Sequence, residues 1–578
     1  MEAINEAVNG DSTVAYFSME VALDPEIPTY SGGLGVLAGD TLRAAADLSM
    51  GMVAVTLLYR KGYFRQHLDN QGNQTEAPYS WSPEDFLDPL EPRVSVTLEG
   101  RKVTVRAWRY SVKGVSGHEV PVYLLDTALP ENSEFDRTLT DQLYGGDVRY
   151  RLCQETILGI GGVAMLRALG YSNIATFHMN EGHSALLALA LLEEQTGDRG
   201  LESMTAEDIE VVHERCVFTT HTPVPAGHDK FDIGLVRRVL GEQRTAALIR
   251  AGCCTDSTLN MTFLAMFTSH YVNGVSMRHE EVSSGMFPGY SINAISNGVH
   301  ATTWTSHPFQ RLYDKHIPQW RKDNLYLRYA ISISPGEVQA AHAQAKRDLL
   351  AEVRRATGVG LDPHVFTIGF ARRATGYKRP DLLFSDLDRL RTIARHTPIQ
   401  IVYAGKAHPR DQGGKDAIRR IFDAAASLQA DLKVVYLEEY GMALGKLMCS
   451  GVDLWLNTPL KPQEASGTSG MKAALNGVPS LSILDGWWLE GCVEGVTGWA
   501  IGEDQHSESI PALEIASLYN KLEFVILPMF YSRPAAYAEV MRHAIAINGS
   551  FFNAQRTMFQ YLTNAYLKNS YYANKQVS

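Results

Sequence analysis

The chain of 578 residues is poor in cysteine, with only Cys153, Cys216, Cys253, Cys254, Cys449 and Cys492 and no CxxC spacing. That excludes a disulfide-stapled scaffold and predicts a reduced compartment. Net positive charge is missing too, since 53 Lys and Arg face 64 Asp and Glu, leaving −11. A general nucleic-acid or anionic-membrane binder needs the opposite field, so no nucleic acid and no membrane are expected as partners. A local basic pocket for a small anion is still allowed. The greasiest stretches, Met52–Tyr59 and Ala185–Leu192, are too short to span lipid, and the opening MEAINEAVNG lacks a signal-type apolar run. A cytoplasmic location is the expectation. There is no fixed-period repeat and no low-complexity tract. What remains is ordinary globular composition, 45% hydrophobic and 20% charged.

Strand-length runs alternate with helix-length segments along the first half. Val14–Phe17, Val53–Leu58, Val122–Leu125, Ile174–His178 and Cys216–Thr220 read as strands, with helices at Gly35–Leu48, Arg151–Leu169 and Ser184–Gln195. The rhythm breaks near Arg311, and Ser334-Pro335 opens a long Ala-rich helix. A second series then sets strands at Val365–Phe370, Ile399–Tyr403, Lys433–Leu437, Val452–Leu456 and Ser480–Leu484. This grammar predicts an α/β fold of two lobes facing a cleft, with one large mixed sheet as the alternative. The expected division is 1–305 for a first lobe, 306–360 for a crossing, 361–510 for a second lobe and 511–578 for C-terminal helices packing back.

Chemistry concentrates in a few segments. EASGTSGMKAALNG, Glu464 to Gly477, puts glycines and hydroxyls before Lys472 and an Ala/Leu helix. Such a loop can turn amides toward a phosphate. Lys472 could equally be a solvated helix residue, a phosphate counter-charge, or an amine condensed with an aldehyde cofactor. The loop is neither a Walker loop nor a dinucleotide fingerprint. GFARRATGYKRP places Arg372, Arg373, Lys378 and Arg379 directly after an apolar strand, either a small anion pocket or a solvated cluster. Gly32, Gly33 and Gly35 precede a helix, as a polar-ligand loop or an ordinary turn. Asn180, Glu181 and His183, and then His221, His228 and Asp229, stand between strands and helices; their spacing is not HExxH and no thiolate joins them, so no metal is expected.

Residues Glu464 to Asn476 match, at every fixed position, the pyridoxal-phosphate segment of the alpha-glucan phosphorylases, the glycogen, starch and maltodextrin enzymes, and the sequence resembles that family. The Arg372–Arg379 run, Gly32-Gly33-Leu34-Gly35, Asn297-Gly298-Val299 and Asp485-Gly486-Trp487-Trp488 extend the likeness from Tyr16 to about Tyr561, and point to a short bacterial and archaeal branch. The resemblance implies two Rossmann-like lobes of glycosyltransferase B type. It implies pyridoxal 5'-phosphate held by Lys472 as a Schiff base, with Thr468, Ser469, Gly470, Tyr440, Lys378 and Gly33 around it. Arg373 and Lys378 would hold inorganic phosphate beside the cofactor phosphate. Gly32, Leu34, His183, His221, Asn273, Glu464, Ser466 and Gly467 would line the sugar side, His221 against the transferred unit and Asn273 against its O6. The implied reaction is phosphorolysis of alpha-1,4-glucan or maltodextrin to glucose 1-phosphate with retention, Lys472, Arg373, Lys378 and His221 forming the catalytic set. A homodimer and an absence of allosteric regulation are expected on the same ground, while Lys406, His408 and His228 receive no role. Two other classes stay open: a nucleotide-sugar glucan synthase and a catalytically silent glucan-binding homologue.

Overall fold

The computed structural model describes residues 13–224, 227–502 and 509–567. Two large sheets, of nine and six strands, organise the described residues. The first has nine strands in the order Asn293–Ala294, Tyr271–Gly274, Cys216–Thr219, Ile174–Asn180, Thr13–Ser18, Met52–Leu57, Glu119–Asp126, Arg101–Lys113 and Asp88–Leu98. All neighbours pair in parallel as far as Glu119–Asp126, and the last two strands continue antiparallel. The inner strands read Val, Ala, Phe and Met with little alternation because helices cover both faces, as parallel sheets require.

The second sheet has six parallel strands in the order Lys433–Leu437, Ile399–Ala404, Phe366–Ala371, Leu454–Asn457, Ser480–Ile483 and Gly498–Ile501. Its sequence order is 3-2-1-4-5-6, so the chain reverses direction between Phe366–Ala371 and Leu454–Asn457. Helices leave those two strands toward opposite sides, which opens a crevice at their carboxyl ends, the place where doubly wound sheets take ligands.

The segment between the sheets is helical. Ser334 caps the helix Pro335–Thr357 through its Oγ, and Gly358 ends it in the left-handed region at φ 74°. The predicted helix from Arg151 runs as Val148–Thr156, a π turn over Ile157–Gly161 and Gly162–Ala168. The wider turn sits where the helix passes the backbone of Leu186 and Leu187, 2.6–2.7 Å from where a Cβ on Gly159 would lie. The helix Gly33–Asp47 lies close to the loop after Thr13–Ser18: a Cβ on Gly39 would stand 2.1 Å from the Ala22 carbonyl oxygen. The last described helix, Ala554–Tyr561, and the turn after it return to the first sheet. Tyr561 and Tyr566 reach its underside, where the Tyr566 hydroxyl meets His178 Nδ1 at 2.6 Å.

All six cysteines are free. No helix among the described residues is long and apolar enough to cross a membrane.

Candidate active site

A cavity of about 800 Å³ lies between the two sets of carboxyl strand ends. From the first sheet it receives Glu20 and the Tyr30–Leu34 loop, Glu181 and His183 after Ile174–Asn180, and His221 after Cys216–Thr219. From the second sheet come Arg372, Arg373 and Lys378 after Phe366–Ala371, Tyr440 after Lys433–Leu437, and Glu464 through Ser469 with Lys472 after Leu454–Asn457. Residues hundreds of positions apart meet because parallel strands deliver their ends to one edge.

The second-sheet side is cationic around one carboxylate. Glu464 accepts from Arg372 at 2.6 Å and from Lys378 Nζ at 2.7 and 2.6 Å. Burial alone would raise the Glu464 carboxyl, but Arg372 and Lys378 outweigh it and hold the group at about 2. Arg372 keeps Nε and one terminal nitrogen buried without a hydrogen-bond partner. Arg373 reaches across the cleft, its guanidinium 3.3 Å from Ser31 Oγ. Beneath them Lys472 is buried, and among the described residues its amine makes no hydrogen bond or ion pair; it lies 3.6 Å from the centroid of the Trp304 ring. Burial pushes this amine below its ordinary value, and Asp40 offsets only part of that. The adjoining Ser466 hydroxyl is buried without a partner.

On the first-sheet side imidazoles and amides stand among carboxylates that already have partners. His221 Nε2 stands 2.6 Å from Asn180 Oδ1, and its backbone N–H donates to Glu181 at 2.7 Å. Burial takes the imidazole down to about 4 against the pull of Glu181, so it is neutral at pH 7. His183 Nε2 lies 3.2 Å from Asp229, which also accepts from Arg151 at 3.0 Å. Neutral imidazole and amide groups can exchange hydrogen bonds with hydroxyls, while the opposite wall attracts anions.

These features accompany a clear set of relatives. A family model described as carbohydrate phosphorylase matches residues 242–574. The maltodextrin phosphorylase of Thermococcus litoralis is 37% identical over 96% of this chain and 71% of its own length. The glycogen phosphorylases of Mycobacterium tuberculosis and Aquifex aeolicus are 36% and 33% identical, each over 96% of this chain and 70% and 86% of their own. The chain belongs to the carbohydrate phosphorylase family. The two-sheet α/β fold agrees with that membership.

In this phosphorylase most of the expected residues do meet in the cavity: Gly32, Gly33, Leu34, His183, His221, Arg373, Lys378, Tyr440, Glu464, Ser466, Gly467, Thr468, Ser469 and Lys472. Two do not. Asn273 is 0% exposed and does not line the cavity, its amide engaged by Thr219, Tyr561 and its own chain at Gly274. Asn297, from the same Asn-Gly-Val pattern later in the chain, lines the cavity instead. Gly470 is turned away, with Trp487 2.6 Å from where its Cβ would be. His228 also lies outside the wall, with Nδ1 on Thr262. Lys406 lines the cavity but spends its amine on Glu439, the Phe64 carbonyl and the Tyr79 hydroxyl.

The glycine loop holds a residue that the sequence reading passed over. Glu20 takes the backbone amides of Ser31 and Gly32 at 2.5 and 3.2 Å, and the Tyr144 hydroxyl at 2.8 Å. These amides therefore face an internal carboxylate. The available signal was its place just beyond the parallel strand Thr13–Ser18.

Proposed function

We propose that this chain transfers the terminal glucosyl unit of an alpha-1,4-glucan to inorganic phosphate, giving alpha-D-glucose 1-phosphate with retention, and that pyridoxal 5'-phosphate is its cofactor. The observation that carries the reading is the buried Lys472 amine, without a counter-ion, on the floor of a cavity whose adjoining wall holds Arg372, Arg373 and Lys378. A lysine whose amine burial shifts toward the neutral form is suited to hold an aldehyde. The unpartnered Arg372 nitrogens and the Ser466 hydroxyl supply donors for an anion that the protein alone leaves unsatisfied. The residues thus fit the cofactor.

When bound, the cofactor supplies a phosphate group whose acidity sets the protonation of the substrate phosphate beside it. Arg373 and Lys378 hold the substrate phosphate. Two phosphates of about −1.5 to −2 charge each repel unless cations and donors surround them, which is the work of the Arg372–Lys378 wall. His221 and Asn297 take the glucosyl hydroxyls and orient the sugar.

The wall carboxylates are already committed. Glu20 holds loop amides, Glu181 the His221 amide, Asp229 Arg151 and His183, Glu464 two cations, and Asp147 caps its own helix at Tyr150. Glu181, Asp229 and Glu464 are all held below the ordinary carboxylate range against burial, Asp229 by Arg151 and His183, Glu464 by Arg372 and Lys378, and Glu181 by the surrounding imidazoles and the His221 amide. None is poised as the protonated acid that a two-carboxylate glycosidase uses. This supports substrate phosphate as the proton source for the departing glycosidic oxygen.

The test is a visible absorbance spectrum of purified protein together with an assay of glucose 1-phosphate formation from maltodextrin and phosphate. A colourless protein without phosphate-dependent product would overturn the reading.

A further inference from the structure

A two-stranded hairpin, Arg65–Leu68 with Gln74–Ala77, leaves the first sheet's side of the molecule and docks on the carboxyl ends of the second sheet's strands. Its tip is shaped for this: Gly72 sits at φ 77° with the Phe422 ring 2.5 Å from where a Cβ would lie. Two glutamines are buried beneath it, Gln66 at 1% and Gln74 at 7% exposure.

Their amides form one joined network. Gln74 grips Ala407 from both sides, donating Nε2–H to its carbonyl at 2.8 Å and accepting its N–H on Oε1 at 3.0 Å. Gln66 donates to Gln74 Oε1 at 3.0 Å and to the Gly405 carbonyl at 2.9 Å, and it accepts the Glu439 N–H at 3.1 Å. A buried amide is costly to leave unsatisfied, so such a network holds one geometry. The backbone it grips needs holding. Glu439 adopts φ 57° and Gly405 φ 150°, and both lie beside residues of the cavity wall, Tyr440 on one segment and Lys406 and His408 on the other.

We propose that Gln66 and Gln74 are positioning residues for phosphate use: holding Gly405 and Ala407 fixes the Lys406 carbonyl, which accepts the Ala374 N–H at 3.0 Å beside the anion-binding Arg373, and holding Glu439 fixes Tyr440. The role rests on the phosphorolysis reading above, but the clamp is measurable without it. Neither glutamine lines the cavity, so each acts through the backbone it holds.

The test uses the full-length holoenzyme carrying Gln66→Ala with Gln74→Ala. Hydrogen exchange over residues 404–408 and 437–441 should accelerate. The kcat/KM for phosphate should fall by about ten- to a hundredfold, as expected for displaced binding groups, while KM for glucan stays close to that of the parent. Thr75→Ala, on the exposed face of the same hairpin, should change neither readout. Gln74→Glu keeps the side-chain volume and the acceptor for Ala407 N–H but loses the donor, and provides a folded variant if the double one collapses; it should show the same pattern to a smaller degree. Unchanged exchange in these segments, or equal losses toward phosphate and glucan, would overturn the proposal. If the parent makes no glucose 1-phosphate, the function fails while the exchange data still judge the clamp.

Discussion

The Lys472 amine lies 3.6 Å from the centroid of the Trp304 ring, and the same indole donates Nε1–H to Asp40 at 2.8 Å. The carboxylate nearest in charge thus reaches the lysine through an aromatic ring, without direct contact. A ring face stabilises a cation less than an ion pair does. The arrangement keeps a buried amine in place without fixing its charge, which suits an amine that must be free to react.

Lys472→Ala is expected to abolish the visible chromophore and nearly all turnover. Absorbance and glucose 1-phosphate assays on the same preparation check this. A variant that stayed yellow and turned over normally would remove Lys472 from the site.

Arg373→Ala should weaken phosphate use far more than glucan use. Its guanidinium crosses the cleft with only the Ser31 hydroxyl as hydrogen-bond partner among the described residues, at 3.3 Å, which leaves most of its donors for an anion. Loss of one preorganised donor to a developing charge costs about 10² to 10³ in rate. Initial rates over a matrix of phosphate and maltodextrin concentrations separate the two substrates.

The parallel core was legible because buried strands leave short apolar runs, which put Arg373, His183 and His221 just beyond strands, whereas Lys472 was singled out by the resemblance of its segment. What escaped depended on tertiary placement. Asn273-Gly274-Val275 and Asn297-Gly298-Val299 are the same tripeptide, yet Asn273 ends a strand inside the sheet, and Asn297 follows the last strand and reaches the cavity. The long antiparallel pair Asp88–Leu98 and Arg101–Lys113 was missed because it is rich in charge. Its signal was the turn Glu99-Gly100, with φ 50° and 75°, a two-residue hairpin connection. The helix Leu387–His396 begins where Asp386 accepts the Arg389 N–H as a cap.

His221→Ala should reduce glucosyl transfer and leave the cofactor bound. The imidazole sits on the sugar side, is neutral because burial takes it down to about 4, and is oriented by Asn180 at 2.6 Å. An unaltered chromophore with a large loss of kcat is the expected pair of results. Loss of the chromophore would make His221 a packing residue.

Asp485 predicts how stability changes as pH rises toward neutrality. Burial, aided by the charge of Glu464, pushes its carboxyl up to about 7 despite the Glu464 and Gly486 amides that it accepts. An unfolded aspartate titrates near about 3.9. The folded value is the higher one, so the stabilisation is complete below pH 4 and is lost as pH rises through 7. Asp485→Asn cannot ionise, and its Tm should fall less between pH 5 and 8 than that of the parent. Parallel Tm curves would show that Asp485 is charged throughout.

Glu464 titrates in the opposite sense and joins stability to substrate. Its folded value of about 2 lies below the unfolded value of about 4.3, so its stabilisation is present above the unfolded value and is lost as pH falls toward 2. Removing one partner from a buried ionic group costs about 3 to 5 kcal/mol. Glu464→Gln should therefore lower Tm at pH 7, since Arg372 and Lys378 lose the carboxylate that neutralises them. Inorganic phosphate can replace that charge. The variant should accordingly gain more Tm per decade of added phosphate than the parent, with sulfate as a comparison for general salt effects. Thermal melts at constant ionic strength decide it: equal phosphate responses in variant and parent would mean that Arg372 and Lys378 are structural partners of Glu464 and take no part in holding an anion.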